Sequence, residues 1–188
     1  MLVCVSLMVV YSSRETPRQN PDMSWERSAE ISRLLAPIAY QTEIVGGVTT
    51  FWKNLDSPKG ILFMFHGCKH SGDHLFLLPE GKLLIQAILS RHLVPVAFTS
   101  QQQKGSKCWD PLGYFPGGDM KLIPSAIRTM VEQNRWNSAP KYLFGISSGA
   151  EMASVMPITM IGTQFAGIIN SINTGPWEVS VIYGSGQF

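Results

Sequence analysis

The sequence predicts an α/β fold: a mostly parallel sheet flanked by helices, with an antiparallel hairpin near its N-terminal end. Three observations carry this expectation. Short, wholly apolar runs such as "ILFMF" (61–65) suit strands buried on both faces, as in a parallel sheet. Such runs alternate with stretches of helical period, the order that lays helices over both faces of a sheet. "QTEIVGGVTTFWK" places two β-rich runs around Gly46-Gly47, the signal of a type I′ or II′ hairpin turn.

In chain order, "MLVCVSLMVVY" (1–11) is apolar but too short for a membrane-spanning helix, which needs about 20 apolar residues. It suits the apolar region of a signal peptide without the basic start, a buried N-terminal strand, or a mistaken start site. "SSRETPRQNPD" (12–22) is polar, holds two prolines and reads as a linker. Residues 1–22 are thus a signal-like or unstructured segment, and 23–188 form the folded domain. Ser24 suits the cap of a helix with Trp25, Ile31, Leu34 and Leu35 on one face, ended by Pro37.

The hairpin follows, then "DSPKG" turns the chain into the 61–65 strand. Leu83, Leu84, Ala87 and Ile88 give 79–93 a helical period, and "VPVAFTS" is the next strand. Residues 101–118 form a long Gly- and Pro-rich loop, a length usually tied to function. Asp119 suits the cap of a helix with Leu122, Ile123, Ala126, Ile127 and Met130 inward, and Pro124 in its early turns. "KYLFG" is a strand, a helix runs from Ser148 to about Val155 with Pro157 limiting it, and "AGIINSI" (166–172) is the last clear strand.

Composition narrows the function classes. Hydrophobic residues are 45% and charged residues 15%, a globular balance rather than disorder. A net charge of +2 with Lys and Arg scattered singly gives no footprint for nucleic acid. No transmembrane span and no cofactor motif are present. Localisation stays open between cytoplasm and the secretory route.

The chemistry centres on Gly145-Ile146-Ser147-Ser148-Gly149, placed where a strand hands over to a helix. A G-x-S-x-G at such a junction is the nucleophile-elbow pattern. Side chains at Gly145 and Gly149 would clash with the neighbouring strand and helix, and the tight bend exposes the serine oxygen. The helix N-terminus beside it favours developing negative charge. Upstream, His66-Gly67 follows the buried 61–65 strand. An N–H from this loop, best from Cys68, together with the Ser148 N–H would make a two-donor oxyanion hole.

This combination resembles the α/β-hydrolase superfamily. "HGC" at 66–68, a later Cys108-Trp109, and S-x-G-x-x-M-A from Ser147 to Ala153 are similar to its polyhydroxybutyrate-depolymerase and feruloyl-esterase-like branch, and to an uncharacterised plant and algal group. The resemblance covers about Gly60 to Ile172. It implies a serine hydrolase of esters with Ser147 as nucleophile, on a partial hydrolase fold that lacks its last strands.

The departure concerns the partners of the serine. The family order is Ser, then Asp or Glu, then His. No histidine follows Ser147, and the acids that do are Glu151, one helical turn on, and Glu178. Without a base a serine hydroxyl is a poor nucleophile at neutral pH. The expectation is a C-terminally truncated or weakly active hydrolase, with a non-catalytic hydrolase-fold binding protein as the alternative. Glu178 is the remote acid candidate. His70 and His74, on the loop facing the site, are the candidate bases, because triads are defined by geometry rather than order.

His66, Cys68, His70, Asp73 and His74 are all ligand types, but their spacing matches no common zinc pattern, and no metal is expected. Cys68 and Cys108 are left as either a disulfide or free thiols. Trp109, Tyr114 and Phe115 either line an acyl pocket or pack the long loop down. The partners expected are a small-molecule ester or an apolar ligand, plus self-association through an exposed edge at the final strand.

Overall fold

The computed structural model describes residues 32, 35–102, 104–113 and 118–171, and the backbone of 179–182. The chain divides into two compact units, Met1–Arg33 and Leu34–Phe188, and the fold below belongs to the second. The readings of the N-terminal segment and of Ser24, Trp25, Ile31, Leu34, Tyr114, Phe115 and Glu178 fall outside the described residues.

Strands β1 (Gln41–Val45) and β2 (Val48–Trp52) form the expected antiparallel hairpin. Gly46 and Gly47 turn it with φ of 57° and 85°, the left-handed pair that a type I′ turn requires. The chain then runs β3 (Gly60–Phe65), α1 (His74–Leu77), α2 (Pro79–Leu89), β4 (Leu93–Phe98), α3 (Asp119–Gln133), β5 (Lys141–Ile146), α4 (Ser148–Thr159), β6 (Gly167–Ser171) and β7 (Val179–Ile182). The sheet order is β1-β2-β4-β3-β5-β6-β7. Its centre, β4-β3-β5-β6, is parallel, while β1, β2 and β7 are antiparallel to their neighbours.

The alternation of β3 builds the core on both sides. Ile61, Phe63 and Phe65 pack with Ile123, Ile127 and Met130 of α3 and Met152 and Met156 of α4. Leu62 and Met64 pack on the other face with Leu75, Phe76, Ile85 and Ile88 from α1 and α2. Successive side chains of a strand point to opposite faces, so an apolar run of this length demands a cover on each.

Four expectations need correcting. The buried face of α2 is Gly81, Ile85 and Ile88, whereas Leu83 and Ala87 are exposed. α1 fixes this rotation, since a methyl on Gly81 would lie 2.5 Å from the Leu75 carbonyl oxygen and only glycine lets the two helices meet so closely. Asp119 is not a cap. Gly118 holds that position, and Asp119 is the first helical residue, buried and turned to the loop amides. α4 continues past Pro157 to Thr159, because the next turn is closed by Met160 N–H donating to the Met156 carbonyl. Finally, β6 is not the last strand: β7 pairs with it from Ser171–Val179 to Ile168–Ile182, so the edge of the sheet on that side belongs to β7.

Candidate active site

β3, β4, β5 and β6 all end on one side of the sheet, the side where open α/β sheets place their ligands. Ser147 stands there, exposed, between the last residue of β5 and the first of α4. Its backbone has φ 54° and ψ −120°, a conformation that costs a non-glycine residue about 1–3 kcal/mol. The surroundings hold it. Ser147 N–H donates to the Ser171 carbonyl at 2.9 Å, and its own carbonyl accepts from Ala150 N–H at 2.8 Å.

The flanking glycines explain how the chain bends so tightly. A methyl on Gly145 would sit 2.1 Å from the Gly149 carbonyl oxygen, and one on Gly149 would sit 2.2 Å from that of Phe65. Both are inside any permitted contact. The elbow thus lies directly against the end of β3, which brings the next residues, His66 to Cys68, beside Ser147. An added methyl on Gly67 would be 3.7 Å from the Ser147 β-carbon.

His66 is buried and holds this loop rather than facing substrate. Its Nε2 accepts the Ser100 N–H at 3.2 Å, which leaves the proton on Nδ1, and Nδ1 donates to the Gly67 carbonyl at 2.7 Å. Burial is the main reason its pKa falls to about 4; the Gly67 hydrogen bond opposes this only in part. With both ring nitrogens engaged, His66 is not a base for Ser147.

The long loop is anchored to the same place. Cys68 and Cys108 form a disulfide with their α-carbons 4.2 Å apart, so the pair left open by the sequence is bonded. Lys69 N–H donates to the Ser106 carbonyl at 2.7 Å. Trp109 is buried rather than lining an open pocket; its indole Nε1–H donates to the His66 carbonyl at 2.7 Å. Its backbone N–H reaches the Ser148 Oγ at 3.4 Å.

Asp119, at the loop's far end, ties down its start and its middle. Its Oδ1 accepts from Gln101 N–H at 2.7 Å and its Oδ2 from Asp110 N–H at 3.0 Å, with the Ser100 hydroxyl at 3.3 Å. Burial raises its carboxyl pKa, while the two amide hydrogen bonds pull the other way. The sequence pattern missed Ser100 and Asp119 as anchors. The available signal was the polar pair bounding a long Gly/Pro loop, which has no fixed spacing.

Of the predicted site residues, Ser147, Ser148, Gly67, Gly145 and Gly149 come together. Cys68 adjoins them through Gly67. Among the described residues, the N–H groups of Ser148 and Cys68 meet no acceptor. His70 and His74 face each other, Nδ1 to Nδ1 at 3.0 Å, and neither is hydrogen-bonded to the Ser147 hydroxyl. Glu151 is exposed on α4. Among the described residues, no group of three or more His, Cys, Asp or Glu is placed to hold a metal. Among them, too, no helix is long and apolar enough to cross a membrane.

No protein-family model matches the chain. A curated relative, the probable acetylxylan esterase A of Aspergillus clavatus, is 27% identical over 124 residues, 63% of this chain. The chain spans 38% of that relative's length. Among solved structures, the acetyl xylan esterase of Aspergillus awamori matches with a TM-score of 0.53 at 21% identity, over 79% of this chain and 59% of that one. The monoglyceride lipase of Saccharomyces cerevisiae matches at 0.51 and 13% identity, over 72% and 44%. Together with the parallel sheet, its covering helices and the strand-turn-helix at Ser147, these likenesses show that the chain has the α/β-hydrolase fold.

Proposed function

We propose that this chain carries the nucleophile and oxyanion hole of a serine hydrolase of carboxylic esters. The single observation behind this reading is Ser147 itself, exposed in a strained backbone conformation with Gly67 packed against it. Strain persists only where the surroundings enforce it, and such residues cluster at functional sites. In the reaction, Ser147 Oγ attacks the ester carbonyl and its proton passes to the departing alcohol. Water then cleaves the acyl-enzyme, releasing the acid and restoring the hydroxyl. The N–H groups of Ser148 and Cys68 receive the negative charge on the tetrahedral oxygen, the role for which pre-aimed backbone donors are best suited. Acetyl esters of carbohydrates are the first substrates to test, since the esterases named above share the fold.

The described residues supply no base for the serine. His66 is held neutral with both nitrogens in use, and His70 and His74 bond to each other. With the described residues alone, slow turnover is the expected outcome, because loss of a triad member leaves only the contribution of the oxyanion hole and binding. The same observation favours a second reading, a hydrolase-fold protein that binds small apolar ligands without turnover.

A fluorophosphonate probe separates the two. Covalent labelling that disappears in Ser147→Ala, with slow release of p-nitrophenol from p-nitrophenyl acetate, is the expected result. An unlabelled, folded protein would withdraw the hydrolase reading.

A further inference from the structure

Oxyanion donors work only if the peptide planes that carry them face the right way. A trans peptide is planar, with its C=O and N–H pointing in opposite directions. Whatever grips the carbonyl therefore aims the next residue's N–H. In the loop after β3, two consecutive planes are gripped. The Gly67 carbonyl accepts from His66 Nδ1 at 2.7 Å and from His70 N–H at 3.3 Å, which aims the Cys68 N–H away from both. The His66 carbonyl accepts from the Trp109 indole at 2.7 Å, which likewise aims the Gly67 N–H.

Trp109 also touches the other half of the site. Its backbone N–H lies 3.4 Å from Ser148 Oγ, on the residue whose N–H is the second oxyanion donor. Its ring is locked edge-on against Phe65 with centroids 5.2 Å apart, and tilted against His66 at 4.9 Å. Cys108, just before it, is bonded to Cys68. One residue thus ties the loop that follows β3, through its indole, to the elbow that follows β5, through its backbone N–H, although it belongs to neither.

We infer that Trp109 is a positioning residue for the oxyanion hole, its indole N–H holding the His66–Gly67 peptide so that the donor loop faces Ser147. This rests on the serine-hydrolase reading above. Packing alone would need only the ring. Positioning needs the N–H, because an unheld His66 carbonyl is free to turn and carry the following planes with it. A wrongly turned plane removes a donor from the transition state while leaving reagent access to the serine unchanged.

The test separates ring from donor. Trp109 is replaced by 3-benzothienylalanine, in which sulfur takes the place of the indole N–H with the shape kept, and in parallel by Trp109→Phe. Inactivation of the full chain by a fluorophosphonate is followed as a function of reagent concentration. The expected result is a maximal inactivation rate about tenfold lower or more, with the half-saturating concentration within about twofold of wild type. An unchanged rate, or a change confined to the half-saturating concentration, would overturn the proposal and return Trp109 to packing or pocket lining. Failure of the isosteric variant to fold would make the N–H purely structural and overturn it as well. Wild-type protein that does not react at all removes the hydrolase reading and this proposal together, an outcome distinct from equal reaction of wild type and variants.

Discussion

The α-carbon of Gly149 lies so close to the end of β3 that a methyl group on it would sit 2.2 Å from the Phe65 carbonyl oxygen. This contact seats the helix after Ser147 on the strand that delivers the donor loop.

Gly149→Ala and Gly145→Ala are expected to destabilise the fold by about 3 kcal/mol or more, because the atoms met are backbone and have no room to move. Gly67→Ala is expected to behave differently. Its methyl meets ordinary contacts of 3.6–3.7 Å, so the fold tolerates it, but the group intrudes beside the Ser147 hydroxyl and slows fluorophosphonate labelling. Urea denaturation and labelling rate, measured on all three, check the contrast. A stable Gly145→Ala protein would count against the elbow geometry.

His66 predicts a dependence of stability on pH. Its folded pKa of about 4 lies below the unfolded value of 6.5, so the unfolded chain binds more protons between the two. Stability contributed by the neutral ring is therefore full above about 6.5 and is lost as pH falls towards 4, by about 3 kcal/mol at most. The raised carboxyl of Asp119 acts in the opposite direction just above 3.8, where the folded state holds the proton longer. Chemical denaturation across this range should show the loss, and His66→Asn should flatten it. An equal slope in the variant would assign the effect elsewhere.

Asp119→Ala removes the acceptor for two amides, the part-buried one of Gln101 and the buried one of Asp110. The expected cost is about 3 kcal/mol or more, since each stranded donor carries a desolvation penalty. Asp119→Asn retains one carbonyl oxygen and should cost less. Thermal melts of the two variants give the ranking.

Reducing the Cys68–Cys108 bond frees two half-buried loops that are 40 residues apart in the chain. A loss of about 2–4 kcal/mol is expected, with a fall in labelling of Ser147 because the donor loop is no longer tied to the segment carrying Trp109. Cys108→Ser under non-reducing conditions should reproduce both effects. Unchanged labelling would show that the loop keeps its place without the bond.

Removing either histidine of the facing pair, as His70→Ala or His74→Ala, is expected to leave labelling of Ser147 within about twofold of wild type, as neither ring is bonded to its hydroxyl. A loss of an order of magnitude or more would restore one of them as the base.

Much of the architecture follows from local pattern. An apolar run such as 61–65 must be covered on both faces, two adjacent glycines between β-rich runs must turn, and a serine between glycines at a strand-helix junction must bend sharply. These are constraints a few neighbouring residues impose on themselves, so the strands up to β6, the hairpin and the position of Ser147 were legible from the amino acids alone, while β7 was not. What the chain does with Asp119, Trp109, Gly81 and Cys108 was not. Asp119 reads as a helix cap until β4's outgoing loop turns two amides towards it, and Trp109 reads as pocket lining or loop packing until the His66 carbonyl appears beside its indole. The rotation of α2 waits on a neighbour packed against Gly81. Each of these roles depends on groups brought together by the sheet order from distant parts of the chain. Hydrogen bonds and close contacts act over a few ångströms of space, whatever the separation along the sequence, and only the folded structure sets that distance.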